Sequence, residues 1–173
     1  MDYTYLHLSL NHVPILGTVF GFLLLLGGVL TRSKGVTRAG LISLFLAAVL
    51  AIPVYLTGEP AEEVAERLPG VTDAVIELHE SAAGFALTLV ITTGIAAAAA
   101  FAFSKSFPSR LPFYMAIGTL VLAFATGGSM LQTANLGGQI RHTEIRTGAS
   151  QNTGTGAEAR TDKKKKEKED DDD

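Results

Sequence analysis

Four stretches of the chain carry no charged side chain: residues 13–30, 39–57, 81–104 and 111–140, which are 18, 19, 24 and 30 residues long. Within them the apolar residues form no stripe; they surround the helix on every side. A helix of a soluble bundle keeps a polar outer face, whereas a helix in lipid does not need one. Crossing the ~30 Å hydrocarbon core takes roughly 20 apolar residues. The pattern therefore predicts an all-α polytopic membrane protein, a four-transmembrane-helix bundle spanning residues 1–146. Residues 147–173 are different material: a Thr/Gly/Ala/Ser/Asn/Gln stretch, then the charged run "DKKKKEKEDDDD". That composition buries too little apolar surface to offset chain entropy, so a disordered charged tail is expected there.

Local signals refine the four elements. "TGEP" (57–60) reads as a turn that ends the second span, and Pro53 before it as a kink. "PAEEVAERLPG" suggests a short amphipathic helix outside the membrane, stopped by Pro69-Gly70, with Thr72 or Asp73 as N-cap of the third span. Gly137-Gly138 is expected to end the fourth. Gly17 and Gly21 form a small-xxx-small surface suited to close helix packing. The opening "MDYTYLHL" has no basic region, and no small-residue cleavage pattern ends the first apolar run, so that run reads as a membrane helix and not a secretory signal.

Charge sets the orientation. The first connection carries Arg32, Lys34 and Arg38, and the third carries Lys105 and Arg110. The second holds Arg67 against Glu59, Glu62, Glu63, Glu66, Asp73 and Glu77. By the positive-inside rule the first and third connections are cytoplasmic and both termini are extracytoplasmic, as in a multi-pass protein of a bacterial inner membrane. The lipid bilayer is then the first partner.

The same topology gathers the chain's four histidines at one end. His7 and His12 precede the first span, His79 opens the third, and His142 follows the fourth. Glu59, Glu80, Asn135, Gln139 and Glu144 fall at that end too. Odd-helix starts and even-helix ends share a face whichever way the bundle points. Imidazoles ligate metals and carry protons, and bundles build cofactor sites from side chains on facing helices. His12 and His79 form the best pair, each opening its own helix, and Ala82, Ala83 and Ala86 beside His79 leave room for a flat cofactor. Each histidine also has a plainer reading: an interfacial aromatic for His7, a helix-start residue for His12 or His79, a surface-loop residue for His142. Glu59 is equally an exposed loop carboxylate or a partner of the histidines.

"LHLSLNHVPI" resembles the opening of a family of uncharacterised bacterial four-helix membrane proteins (DUF2231-like), which reads HPxxVHFPI. The matching positions are His7, His12, Pro14 and Ile15; the chain departs from the pattern at Leu8 and Val13, where the family has proline and phenylalanine. A histidine opening the third helix, here His79, and the small residues after it also resemble that family. The resemblance covers residues 1 to about 146. Some members look fused to cytochrome c-like domains, which implies redox surroundings.

Several function classes are excluded. With no cysteine there is no disulfide, thiol catalysis or covalently attached c-type haem. There is no phosphate loop, no GxGxxG and no nucleophile motif, and the local string "ELHE" is neither HExxH nor ExxH. No basic aromatic surface for nucleic acid is present. Three expectations stand. The first is b-type haem for electron transfer, with His12 and His79 as axial ligands, His7 and His142 at the rim, and a quinol or an extracytoplasmic electron carrier as partner. The second is a non-haem site for zinc, iron or copper, drawing on the same histidines with Glu59, Glu80 or Glu144. The third is a cofactor-free accessory subunit of a larger membrane complex or a homo-oligomer.

Overall fold

The computed structural model describes residues 3–106 and 110–146, and the tail expected at 147–173 lies outside them. Every regular element among the described residues is helical. Four helical runs are long and apolar enough to cross a membrane: Tyr3–Leu30, Lys34–Leu56, Asp73–Ser104 and Leu111–Arg141.

The first run is α1 (Tyr3–Leu10) followed by α2 (His12–Leu30). Proline causes the break between them. Pro14 has no N–H to give the Leu10 carbonyl, and its ring crowds that carbonyl. Asn11 keeps helical angles, φ −58° and ψ −27°, so the chain enters α2 without a turn. The helical run thus begins well before His12, where the sequence reading opened it.

A tight turn leads into α3 (Lys34–Leu56). Arg32 sits at φ 54°, and Ser33 N–H donates back to the Gly28 carbonyl at 3.0 Å, which closes the end of α2 with a left-handed residue. Ser33 then caps α3 by accepting from Val36 N–H. The expected short helix is α4 (Gly58–Ala65). Gly70 takes φ 78°, a conformation glycine adopts without strain, and α5 (Asp73–Ser106) follows.

The last long element is α6 (Leu111–Arg141). It runs straight through Gly137 and Gly138, which corrects the expectation that they end it. Neither glycine has a positive φ. The helix is closed instead by the chain after it, a 3-10 turn at Thr143–Ile145 that folds back. The buried Arg146 guanidinium donates to the carbonyls of Gln139 at 2.9 Å and Ile140 at 3.2 Å. These are orphan carbonyls of the last turn, satisfied by a cation at the negative end of the helix dipole.

The four long helices stand in a ring in the order α2, α3, α5, α6. α2 and α5 are diagonal, and the α2–α6 seam is the thinnest of the four. Small residues bring α2 and α3 close. A Cβ on Gly21 would lie 2.8 Å from Leu44 Cγ, one on Gly17 would lie 3.1 Å from Ala47 Cβ, and one on Gly28 would strike the backbone of Thr37. The Gly17/Gly21 surface is therefore a packing seam, as its spacing suggested.

The apolar core falls into two clusters. One joins Leu25, Leu41, Leu44, Ala97, Ala100, Ala116 and Ala123; the other, nearer the histidines, joins Ala48, Ala51, Ala86, Val90 and Met130. The outer faces carry exposed Leu16, Phe20, Leu23, Val121 and Phe124. An apolar exterior of this kind is compatible with contact to a bilayer and costly in water.

Candidate functional site at the histidine end

On α1 and α2 the inward stripe is buried Pro14, Thr18, Gly21, Leu25 and Gly28. Steps of three and four residues extend it backwards to Asn11 and His7. His7 is half-buried on that face. Its Nδ1 lies 3.0 Å from the Val54 carbonyl and 3.3 Å from Thr57 Oγ1. Carbonyls only accept, so Nδ1 carries the proton and donates. The Val54 carbonyl lies in the last turn of α3 and also accepts from the Thr57 N–H at 3.3 Å. Thr57 Oγ1 shares its one proton between the same carbonyl at 2.9 Å and that of Pro53 at 3.0 Å.

His79, one and a half turns into α5, is built the same way. Its Nδ1 donates to the Thr133 carbonyl on α6 at 3.1 Å. The ring comes close to α6 because residue 137 is glycine: a Cβ there would lie 3.0 Å from His79 Cε1 and 3.2 Å from Nδ1. His7 on α1 and His79 on α5 are within electrostatic reach of each other. In the tautomer that ties Nδ1–H to a carbonyl, the neutral imidazole keeps its lone pair on Nε2. A backbone carbonyl on the second ring nitrogen is the usual support of a metal-ligating histidine, fixing both tautomer and orientation. One turn along from His7, the buried side-chain oxygen of Asn11 has no hydrogen-bond partner. Its amide can present either the oxygen or the NH2, so it suits an acceptor or a donor on a group bound there.

The other predicted residues are placed apart from this pair. His12 is exposed on the outer side of α2. Five residues turn a helix by about 140° beyond a full revolution, so His7 and His12 point to different faces, and the structure pairs His79 with His7 where the sequence reading paired it with His12. His142 is exposed and bonds Glu144 through Nδ1 at 2.9 Å. The Glu144 carboxyl is held below its usual range by its own backbone N–H first and by His142 second. Glu59 is exposed on α4.

Glu80 is exposed beside His79 and shares a hydrogen bond with Glu62 of α4. That bond, with partial burial and the charges of Glu80, Glu66 and Glu59, lifts the Glu62 carboxyl from 4.5 to about 7. Two carboxyls sharing one proton behave this way. Among the described residues no three His, Asp or Glu side chains gather as a metal-ligand group. Sequence reasoning missed Asn11, Thr57, Thr133, Gly137 and Glu62 as parts of this end. Only Asn11 had a readable signal, its place on the 7–11–14–18 stripe. No family model, curated protein or solved structure matches the chain.

Proposed function

We propose that the chain is a membrane redox protein that holds a b-type haem between His7 and His79 at the histidine end of its bundle. The observation that carries this reading is the matched pair of imidazoles. They come from two different helices, α1 and α5, each with Nδ1–H committed to a backbone carbonyl and Nε2 left as the donor atom. The donor count favours haem over the other metals. Zinc and non-haem iron ordinarily take three or four protein ligands. Haem iron already has four porphyrin nitrogens and takes two axial ligands. The partnerless Asn11 side-chain oxygen fits a site completed by a further polar group, such as a haem carboxyl paired with the flipped amide. When bound, haem would supply one-electron transfer. His7 and His79 would hold it through Nε2, each ring oriented by its Nδ1–H bond to a backbone carbonyl.

The resemblance of "LHLSLNHVPI" to the four-helix family supports the same reading, with His7 in place of His12 as the ligand on the first helix. The bias of Lys and Arg toward the first and third connections supports a bacterial inner-membrane protein with the histidine end outside. A quinol or an extracytoplasmic electron carrier would be its partner there.

The test is the optical spectrum of the full chain purified in detergent after expression with haem supplied, oxidised and then dithionite-reduced. The expected result is a reduced spectrum of six-coordinate b-type haem. It is lost in His7→Ala and in His79→Ala and kept in His12→Ala and His142→Ala. A colourless protein from haem-replete cells overturns the reading. A spectrum that survives His7→Ala and is lost in His12→Ala overturns the ligand assignment alone.

A further inference from the structure

The two apolar clusters of the core do not meet as one. Between them three buried hydroxyls share a layer of the bundle. Gly17 stands against Ala47 and Gly94 against Ala48, and Thr93 Oγ1 bonds Thr126 Oγ1 at 2.8 Å. Those contacts put Thr18, Ala47 and Ala48, Thr93 and Thr126 at one level, roughly 16 Å along the axis from His7 at 1.5 Å per residue. Thr18 and Thr93 are each 1% exposed and Thr126 0%.

The hydrogen-bond ledger of this layer does not close within the protein. Thr126 Oγ1 donates to the Leu122 carbonyl at 2.8 Å. Its only proton is used, so the Thr93 hydroxyl must donate to Thr126. That leaves the lone pairs of Thr93 Oγ1 for a donor. Thr18 Oγ1, on the diagonal helix, has no partner of any kind. Threonines inside membrane helices usually return their hydroxyl to a carbonyl one turn back, as Thr119 does to Met115 at 2.9 Å. Thr18 does not.

We infer that the middle of the bundle is a binding site for an ordered water molecule. Thr18 donates to its oxygen, and one of its protons goes to Thr93 Oγ1. Thr18 and Thr93 are short side chains at one level on diagonal helices, each 1% exposed. A buried water needs two to four polar partners, and this layer offers two spare hydroxyls on opposite sides.

The test is unfolding of the full chain by SDS titration from mixed micelles. Thr18→Val keeps the shape and removes the hydroxyl. A hydroxyl with no partner is a liability, and deleting it leaves the unfolding constant unchanged or lowers it. A hydroxyl bonded to a shared water is an asset, and the expected result is a rise of about five- to tenfold. Thr18→Ser, which keeps the hydroxyl, should rise less than Thr18→Val. In a Thr93→Val background, which removes the water's other partner, Thr18→Val should have little further effect. An unchanged or lowered constant in Thr18→Val overturns the inference. So do Thr18→Val and Thr93→Val effects that simply multiply.

Discussion

The seam between α2 and α3 and the histidine end of the bundle are made by opposite rules. Along the seam the helices approach until only glycine fits at several positions, and specificity comes from shape. Gly28 has the backbone of Thr37 where its Cβ would be, and Gly40 has the backbone of Leu25. At the histidine end the helices outrun the apolar layer, and imidazoles are fixed by hydrogen bonds to backbone carbonyls, one of them reached beside a glycine. Shape tolerates no added atom, while the polar end tolerates exchange on its surface and depends on a few bonds. The difference follows from solvent. In lipid there is no hydrophobic drive between helices, so close van der Waals contact must supply it. At the rim water competes for every bond.

The largest expected effect is therefore at the α2–α3 seam. Gly28→Val should cost about 3 kcal/mol or prevent folding, because the atoms it meets are backbone and cannot rotate aside. Gly27→Val, one position along, is the control, since nothing lies within 4 Å of a Cβ there. Equal losses in the two variants, read by SDS titration and by yield of folded protein, would break the distinction between a packed seam and an open face.

Much of the spans and of the α2–α3 seam was legible in the sequence, and little of the histidine end was. Charge-free length marks the four spans without any tertiary knowledge, because hydrocarbon thickness sets it. The Gly17/Gly21 spacing marked the α2–α3 seam for the same kind of reason. The pairing of His79 was read from where helices were expected to start. His12 sits two residues before Pro14 and reads as a start, yet the helix continues back to Tyr3 through Asn11. Once that is so, the 140° between His7 and His12 decides which one faces in. Gly137 was harder still. A glycine near a helix end ordinarily signals a cap, and only the neighbouring α5 reveals that it makes room for an imidazole.

A smaller effect sharpens the contrast. Gly137→Ala adds one methyl group 3.0 Å from His79 Cε1, a contact that a ring held by a single hydrogen bond relieves by tilting. The expected cost to folding is about 1 kcal/mol, well below that of Gly28→Val. The expected change at the histidine is large by comparison: loss of the Nδ1 bond to Thr133 and, in the haem reading, a shifted or weakened reduced spectrum. The ring's 15N chemical shifts report the bond directly, with or without cofactor. If Gly137→Ala leaves them unmoved, the glycine does not position His79.

The smallest effect is at the surface of the same end, and its sign is fixed. Glu62 holds a proton to about 7 in the folded chain against 4.5 for a free carboxyl, first through its bond to Glu80. A group whose folded value is raised stabilises the fold fully below the unfolded value, and that contribution is lost as pH climbs through the folded one. The hold of α4 on α5 should therefore weaken between about pH 4.5 and 7, by on the order of 0.5 kcal/mol or less once water screening at this rim is counted. The chain has no cysteine, so a single nitroxide at Val64→Cys, an exposed position on α4, reads the helix without interference. Its mobility should rise with pH across that window. In Glu62→Gln, whose amide bonds Glu80 at any pH, the rise should disappear. Mobility that falls with pH, or a pH response that survives Glu62→Gln, would mean that the shared proton does not hold α4 and that the acidic rim is solvated surface beside the histidine pair.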